Sequence, residues 1–193
     1  LSAATSHTCG VTIDQEIKCW GQLPFDEEFA AKDFMQVSTS SSHTCGLHQT
    51  GVVECKGVCV EHQMCSACTF QNLAGRMMHL MNHAEAPATP VVQIAAGDFV
   101  TCALDVDGEV HCWGRDVAGS TFEPPGEFVQ VTSSDAYGTC AISAAGQVMC
   151  WGQFVNGRRR DAVYTLKGSF TQVTVGDDWV CAINVSRRAR TKL

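Results

Sequence analysis

A pair of cysteines ten positions apart occurs four times in the chain, and the same short sequence surrounds each pair. The four copies are Cys9 and Cys19, Cys45 and Cys55, Cys102 and Cys112, and Cys140 and Cys150. A fifth copy begins at Trp179 and ends before a second cysteine. Self-similarity at a fixed period indicates a repeat architecture, in which each repeat is one small supersecondary unit. The repeat constrains the fold more strongly than any other feature of the sequence.

The residues between paired cysteines predict a β-hairpin closed by a three-residue loop. In the third copy that loop is Val106–Gly108, a type I turn followed by a glycine that can adopt the left-handed conformation. The loop pairs Asp105 with Glu109, and three further steps along each strand place Cys102 opposite Cys112. Opposed residues of an antiparallel pair lie within the reach of a disulfide bond.

The same count places two other cysteine pairs opposite each other, because Gly51 and Gly146 occupy the glycine position. These pairs are Cys45 with Cys55, and Cys140 with Cys150. In the first copy Gln15 stands at that position, so we expect its turn to be strained or of another type. Buried free thiols that pack as small hydrophobic groups are the alternative to disulfide bonds.

A short apolar segment rich in β-branched residues precedes each of the last four hairpins and predicts a strand. These segments are Phe34–Ser38, Val91–Ala95, Phe128–Thr132 and Phe170–Thr174. The first copy shows no such strand, and Cys181 in the fifth lacks a partner, so we expect the chain to be incomplete. A period of about 40 residues with one small sheet per repeat is typical of a β-propeller.

We therefore predict an all-β fold that forms one domain over residues 1–193. It consists of about four hairpin blades plus a partial fifth, in an incomplete propeller or open arc. An unusually small closed ring is the alternative.

The opening Gln-Val or Gln-Ile and the closing Trp-Gly of the repeats resemble the regulator-of-chromosome-condensation repeat family. Trp-Gly occurs at Trp20, Trp113 and Trp151, whereas Lys56 replaces tryptophan in the second copy; the best copy spans Val92–Gly114. WD-type repeats fit less well, because Trp-Asp does not occur. The resemblance implies a β-propeller, commonly of seven blades. The cysteine-paired form is similar to secreted microbial repeats and to the ectodomains of crinkly-type receptor kinases.

The second repeat is about twenty residues longer than its neighbours, and the extra length falls in the segment Val58–Pro90, which we call the insert. Cys65 and Cys68, followed by His79 and His83, resemble a zinc site with two cysteine and two histidine ligands. The gap between the cysteines and the histidines is shorter than in typical zinc fingers. A loop containing a disulfide bond and an insertion without a structural role are the alternatives.

Bulk properties exclude some classes of function. The net charge of −7 argues against nucleic acid as the partner. No apolar run approaches the length of a membrane span. Paired cysteines indicate an oxidising compartment, and Asn184 begins a candidate glycosylation sequon.

The sequence shows no catalytic triad, phosphate-binding loop or acid pair. His7 and His43 each lie two positions before a cysteine, but they recur as part of the repeat, so we expect them to pack or form hydrogen bonds. We therefore predict a non-enzymatic protein-binding scaffold, extracellular or secretory, without a cofactor unless the insert binds zinc. Its protein partner would contact the variable loops between blades, and its oligomeric state is open. The resemblance also allows a nucleotide-exchange regulator of a small GTPase, or the ectodomain of a receptor kinase.

Overall fold

A computed structural model describes residues 1–23, 29–57, 89–98, 100–116, 119–135, 138–152, 163–176 and 179–185. These residues form fifteen strands and no helix, arranged in five small antiparallel sheets. Each sheet corresponds to one repeat, so the predicted all-β fold class is confirmed. We call the sheets blades 1 to 5.

The strands of every blade follow chain order from the innermost to the outermost. Blade 1 contains β1 (Ser2–Ala3), β2 (His7–Val11) and β3 (Ile17–Gly21); blade 2 contains β4 (Phe34–Thr39), β5 (His43–His48) and β6 (Val53–Gly57); blade 3 contains β7 (Val91–Ala96), β8 (Val100–Asp105) and β9 (Val110–Gly114); blade 4 contains β10 (Phe128–Ser133), β11 (Gly138–Ser143), β12 (Val148–Gly152) and β13 (Tyr164–Leu166); blade 5 contains β14 (Phe170–Val175) and β15 (Val180–Asn184). Each hairpin of the sequence repeat is therefore the outer part of one blade.

The four predicted opening strands are confirmed as β4, β7, β10 and β14, each one residue longer than expected. The expectation that blade 1 lacks an opening strand is wrong. Ser2 pairs with Cys9 in β1 just as Ser38 pairs with Cys45 in β4. The Ser2 hydroxyl also accepts a hydrogen bond from the N–H of Thr39, at 2.9 Å. Tertiary contact therefore holds a segment whose composition gives little strand signal.

The hairpin loops of blades 1 and 3 have the same geometry. In blade 3 the N–H of Gly108 donates to the carbonyl of Asp105 at 3.1 Å, with φ of 82°. In blade 1 the N–H of Gln15 donates to the carbonyl of Thr12 at 3.0 Å, with φ of 61°. Of the two expectations for Gln15, strain is therefore correct, because a side chain occupies the left-handed region.

The blades lie side by side around a shared cavity of about 660 Å³, which the innermost strands β1, β4, β7, β10 and β14 line. Successive blades pack face to face, and the described array does not close into a ring. In the seam between blades 2 and 3, Cys45 and Leu47 contact Ala103 and Trp113 in one apolar cluster. A seam of this kind separates every pair of neighbouring blades.

Candidate functional site

The two cysteines of each pair lie directly opposite each other on one hairpin. Their Sγ atoms are at disulfide distance, 2.05 Å in blades 1 and 2, 2.13 Å in blade 3 and 2.11 Å in blade 4. Asp105 and Glu109 form a hydrogen-bonded pair next to the loop. Hydrogen-bonded and non-hydrogen-bonded pairs alternate along a hairpin, so the cysteines, three steps further on, form a non-hydrogen-bonded pair. The predicted register is therefore correct, and it holds in blade 1 as well, because Gln15 adopts the glycine conformation.

The first cysteine of each pair is fully buried, and the following blade covers it. In blades 1 to 3 its Sγ atom contacts a threonine hydroxyl there, at 3.9 Å for Cys9 and Thr44, 3.7 Å for Cys45 and Thr101, and 3.7 Å for Cys102 and Thr139. The cysteine pairs thus belong to the seams between blades and not to a solvent-exposed site.

The two repeat histidines also bridge seams. Nε2 of His7 lies 2.9 Å from the hydroxyl of Thr44, and Nε2 of His43 lies 2.8 Å from that of Thr101. Nδ1 of His43 bonds the hydroxyl of Ser40 at 2.9 Å. Burial lowers the pKa of both histidines, and with the charge of His7 it lowers the pKa of His43 to about 4. The expected packing and hydrogen-bonding role is confirmed.

The repeated glutamine fastens the innermost strands together, a role that sequence reasoning missed. Gln36 bonds both backbone groups of Ile94, and Gln130 does the same with Val173. Each glutamine follows a bulge in its own strand, which frees its amide to reach the next blade. The recurrence of glutamine at one position of the opening strand was the available signal.

The Trp-Gly tryptophans pack against the preceding blade where the described residues include one. Trp113 and Trp151 are each 1% exposed, whereas Trp20 in blade 1 is 53% exposed. Trp113 and Trp151 are therefore packed between blades, whereas Trp20 is not. At the equivalent position of blade 2, the Lys56 ammonium lies 5.6 Å from the ring centre of Phe29, and that ring fills part of the seam.

Short turns between the innermost strand and the hairpin meet at one end of the cavity, which we call the turn face. The Asp135 carboxylate accepts hydrogen bonds from the N–H of Ser41 at 3.3 Å and from the hydroxyl of Thr5 at 3.4 Å. The Ser41 hydroxyl donates to Asp98. Turns of four blades are thereby joined around two carboxylates. Asp177, at the equivalent place in the fifth repeat, lies outside the described residues.

Asp105, Glu109 and His111 present three potential metal ligands within 4.8 Å of one another. Four hydrogen bonds already engage the Asp105 carboxylate: those from the N–H groups of residues 107 and 109, the Thr89 hydroxyl and His111 Nε2. The carboxylate therefore fastens the hairpin loop to the end of the preceding connection. Its geometry is that of a turn cap.

The described residues do not test the remaining predicted sites. Cys65, Cys68, His79 and His83 lie outside the described residues, so the zinc site stays a prediction. Asn184 ends β15 and is half-buried, and its glycosylation also stays a prediction. None of the described residues forms a helix long and apolar enough to cross a membrane.

The small antiparallel sheets, packed face to face around one cavity, define an arc of a β-propeller. More particularly, residues 91–120 match the family model of the regulator of chromosome condensation (RCC1) repeat. This stretch contains blade 3, which is formed by the best copy of the repeat. The predicted resemblance is therefore confirmed.

Solved structures with this fold include two receptor-kinase ectodomains and the yeast protein Prp20p. The ectodomain of the Arabidopsis thaliana receptor kinase ACR4 has a TM-score of 0.64 at 20% identity, over 96% of this chain. The ectodomain of the Physcomitrella patens receptor kinase CR4 has a TM-score of 0.59 at 23% identity, over 94% of this chain. Prp20p from Saccharomyces cerevisiae, described by its binding to Gsp1p and histones, has a TM-score of 0.71 at 13% identity, over 93% of this chain.

The chain spans 60%, 55% and 54% of the length of these three solved chains, respectively. No curated protein matches it in sequence. The similarity therefore establishes the fold.

Proposed function

We propose that the protein is a non-enzymatic, protein-binding scaffold of the extracellular space or secretory pathway, with one disulfide bond in each of blades 1 to 4. The observation that carries this proposal is the recurrence of opposed cysteines at disulfide distance in four hairpins. Disulfide bonds persist in oxidising compartments and are rare where glutathione keeps thiols reduced. Residues 1–193 would act as one domain, with the insert at 58–90 as an addition to blade 2.

The fold by itself does not choose between a receptor-like scaffold and a regulator that resembles Prp20p, because its TM-scores to both classes are similar. The cysteine pairs favour the extracellular scaffold. If the cysteines are reduced in the native protein, nucleotide exchange on a small GTPase becomes the better hypothesis.

The turn face is the surface that fits a protein partner best. It carries Asp98 and Asp135 at its centre. The third strands of blades 1 to 3, which are β3, β6 and β9, end there, so the variable connections that follow these blades begin beside it. These two carboxylates belong to a chain whose net charge is −7, so the turn face favours a partner that presents lysine or arginine side chains. The turns already hold the two carboxylates in place, and these would bind the cationic side chains of the partner protein.

The redox part of the proposal is tested on protein isolated from its natural source with free thiols blocked at once. Peptide mapping without reductant should find the four within-hairpin links, each lost after reduction. Quantitative alkylation of the eight paired cysteines under denaturing, non-reducing conditions would contradict the proposal.

The binding part is tested with a double variant, Asp98→Ala with Asp135→Ala, against Asp107→Ala as the matched control. Asp107 is an exposed acid in a hairpin loop, at the other end of blade 3. Binding of a partner recovered by cross-linking from extracellular material should weaken in the double variant, most strongly at low salt. Asp107→Ala removes one charge and the double variant removes two, so a loss of binding free energy by Asp107→Ala of half the size or more would assign the effect to net charge and reject the turn face.

A further inference from the structure

Cys19 in blade 1 differs from the other paired cysteines in its exposure. Seven of the eight cysteines that form pairs in the described blades are at most 5% exposed, whereas Cys19 is only partly buried. It packs in the seam between blades 1 and 2, against the apolar cluster that contains Phe34 and Val37. Its side chain therefore faces blade 2, the next blade along the chain, and not the face of blade 1 that carries Trp20. Of the paired cysteines, Cys19 is the one that a small solute reaches most readily.

Its partner Cys9 is fully buried beside a hydroxyl group. The Sγ atom of Cys9 lies 3.9 Å from the Thr44 hydroxyl, and Nε2 of His7 lies 2.9 Å from the same hydroxyl. Burial lowers the pKa of His7, so the ring is neutral at neutral pH, and with its proton on Nε2 it donates to the hydroxyl oxygen. The hydroxyl proton is then directed at the sulfur. A thiolate accepts such a hydrogen bond more strongly than a disulfide sulfur does, so the contact strengthens when the S–S bond breaks.

The two features coincide, among the described pairs, only in blade 1. The seams after blades 2 and 3 repeat the hydroxyl contact, but the second cysteines of these pairs, Cys55 and Cys112, are 4% and 0% exposed. In the seam after blade 4, Val180 stands at the threonine position, and Cys150 is 5% exposed. Blade 1 therefore combines a sulfur that can be attacked with a sulfur that can leave as a stabilised thiolate.

We propose that the bond between Cys9 and Cys19 is a thiol-responsive switch, which a small thiol opens by attacking Cys19 and releasing Cys9 as a thiolate. The inference rests on the proposed function, which supplies the bond, and adds that one of the four bonds is regulatory. A leaving thiol of lower pKa leaves faster, and a hydrogen bond to the thiolate lowers the pKa of a thiol. The Thr44 hydroxyl therefore favours attack at Cys19 over attack at Cys9.

The exchange balances with glutathione as the thiol. A glutathione thiolate attacks Sγ of Cys19, a new S–S bond forms between them, and the electron pair of the broken bond leaves on Sγ of Cys9. A second glutathione thiolate attacks this mixed disulfide, forms oxidised glutathione and leaves Cys19 as a thiolate. The two cysteine thiolates then take up protons from the solvent. Two glutathione molecules thus supply the two electrons.

Opening the bond should loosen blade 1 selectively. The bond joins β2 to β3 at the middle pair of their register, and a small sheet without such a link is only marginally stable. The other blades keep their own links. The turn before β2 carries Thr5, whose hydroxyl donates to the Asp135 carboxylate of the turn face at 3.4 Å. Loosening of blade 1 would therefore reach the surface that we propose for partner binding.

The order of exchange is the first test, on protein in which the peptide mapping described above has found the four bonds. Reduced glutathione is added, the reaction is stopped with acid at intervals, and mass spectrometry locates the adducts. Glutathione on Cys19, with a free thiol at Cys9, should appear about tenfold faster or more than an adduct at any other pair. Equal rates, or an earlier adduct at another pair, would overturn the switch and leave the proposed function intact. Absence of the bond between Cys9 and Cys19 before glutathione is added would contradict both proposals.

Variants of Thr44 test the hydroxyl. Thr44→Val keeps the shape of the side chain and should slow the exchange at Cys19 by about tenfold or more, because a hydrogen bond to the thiolate is lost. Thr44→Ser keeps the hydroxyl and should restore most of the rate. The matched control is Thr101→Val, the same substitution in the next seam, which should leave the rate at Cys19 unchanged. A rate that Thr44→Val does not lower would reject Cys9 as the stabilised leaving group. If that variant does not fold, the order of exchange in the unaltered chain decides the question.

Hydrogen exchange measures the structural consequence. After glutathione has opened the bond, β2 and β3 should lose protection, while the strands of blades 3 and 4 keep theirs. The double variant Cys9→Ser with Cys19→Ser should show the same local loss without glutathione. Unchanged protection of β2 and β3, or an equal loss in all blades, would overturn the proposal of a local switch.

Discussion

The side-chain amide of Gln36 forms two hydrogen bonds with the backbone of Ile94, donating to its carbonyl at 2.8 Å and accepting from its N–H at 2.9 Å. The two residues belong to adjacent blades, and Ile94 is buried. One glutamine side chain thus takes the place that a neighbouring strand would occupy. It joins two innermost strands that are not otherwise paired.

Gln36→Ala should lower the free energy of unfolding by about 1–3 kcal/mol, because it leaves a buried N–H and carbonyl of Ile94 without partners. The matched control is Gln172→Ala in blade 5, where the same repeat position is exposed. That substitution should change stability by less than about 0.5 kcal/mol. Urea denaturation of both variants measures the difference, and equal effects would contradict the bridging role.

The tryptophans of the repeat give a second pair of matched variants, one at a buried and one at a half-exposed side chain. Trp113→Ala should cost about 3–5 kcal/mol, because the indole fills the space between blades 2 and 3. Trp20→Ala removes a half-exposed side chain of the same repeat position and should cost much less. A loss for Trp20→Ala as large as that for Trp113→Ala would show that another surface covers blade 1.

Gln15→Gly should stabilise the protein by about 0.5–1 kcal/mol, because it relieves a side chain held at a φ of 61°. The reverse change, Gly146→Ala, places a side chain at a φ of 78° and should destabilise by about 1 kcal/mol or more. Thermal unfolding of the two variants should therefore shift in opposite directions. A destabilised Gln15→Gly protein would be incompatible with strain at this turn.

Acid should weaken the seam between blades 2 and 3. Burial lowers the pKa of His43 to about 4, below the ordinary value of 6.5, so between these values the unfolded chain binds more protons than the folded one. Stability that is fully present above pH 6.5 is then lost progressively as the pH falls to about 4, by about 3 kcal/mol. Urea midpoints measured across this range should fall less steeply for His43→Gln than for the unaltered chain.

The Asp105 carboxyl does not contribute to that loss of stability. Burial raises its pKa, but the hydrogen bonds from Thr89, His111 and two N–H groups outweigh burial and hold the pKa below 3.8. Its contribution is therefore lost only at lower pH. Slopes that are identical for His43→Gln and the unaltered chain would rule out His43 as the acid-sensitive group.

The hairpins could be predicted from sequence because their register depends on local chemistry. A loop glycine fixes the turn, the turn fixes which residues are opposed, and Cys102 and Cys112 follow by counting. β1 and β13 could not be found in this way. Each has only two or three residues, and each is held by pairing to a strand that already exists and not by its own propensity.

The seam contacts needed the structure, because they join residues from different repeats. Glutamine recurs at positions 36, 93 and 130, which indicates that the repeat needs this side chain. The recurrence does not reveal that the side-chain amide forms hydrogen bonds with the next blade. Phe29 illustrates the same limit. Its ring fills part of the seam beside Lys56, which stands where the other copies have tryptophan. Nothing in the spacing of the repeat indicates that a connecting segment supplies this ring.

Every cysteine pair is covered by the blade that follows it in the chain, as Thr44 covers Cys9. A growing polypeptide emerges from the ribosome in sequence order, so each hairpin is made before the blade that will cover it. In the oxidising compartment proposed above, its two thiols would therefore be open to an oxidising enzyme only until the next blade, about 40 to 60 residues further along the chain, has been synthesised and docked. The order of synthesis would therefore set a separate interval for the oxidation of each pair, and this interval would end when the next blade buries the pair.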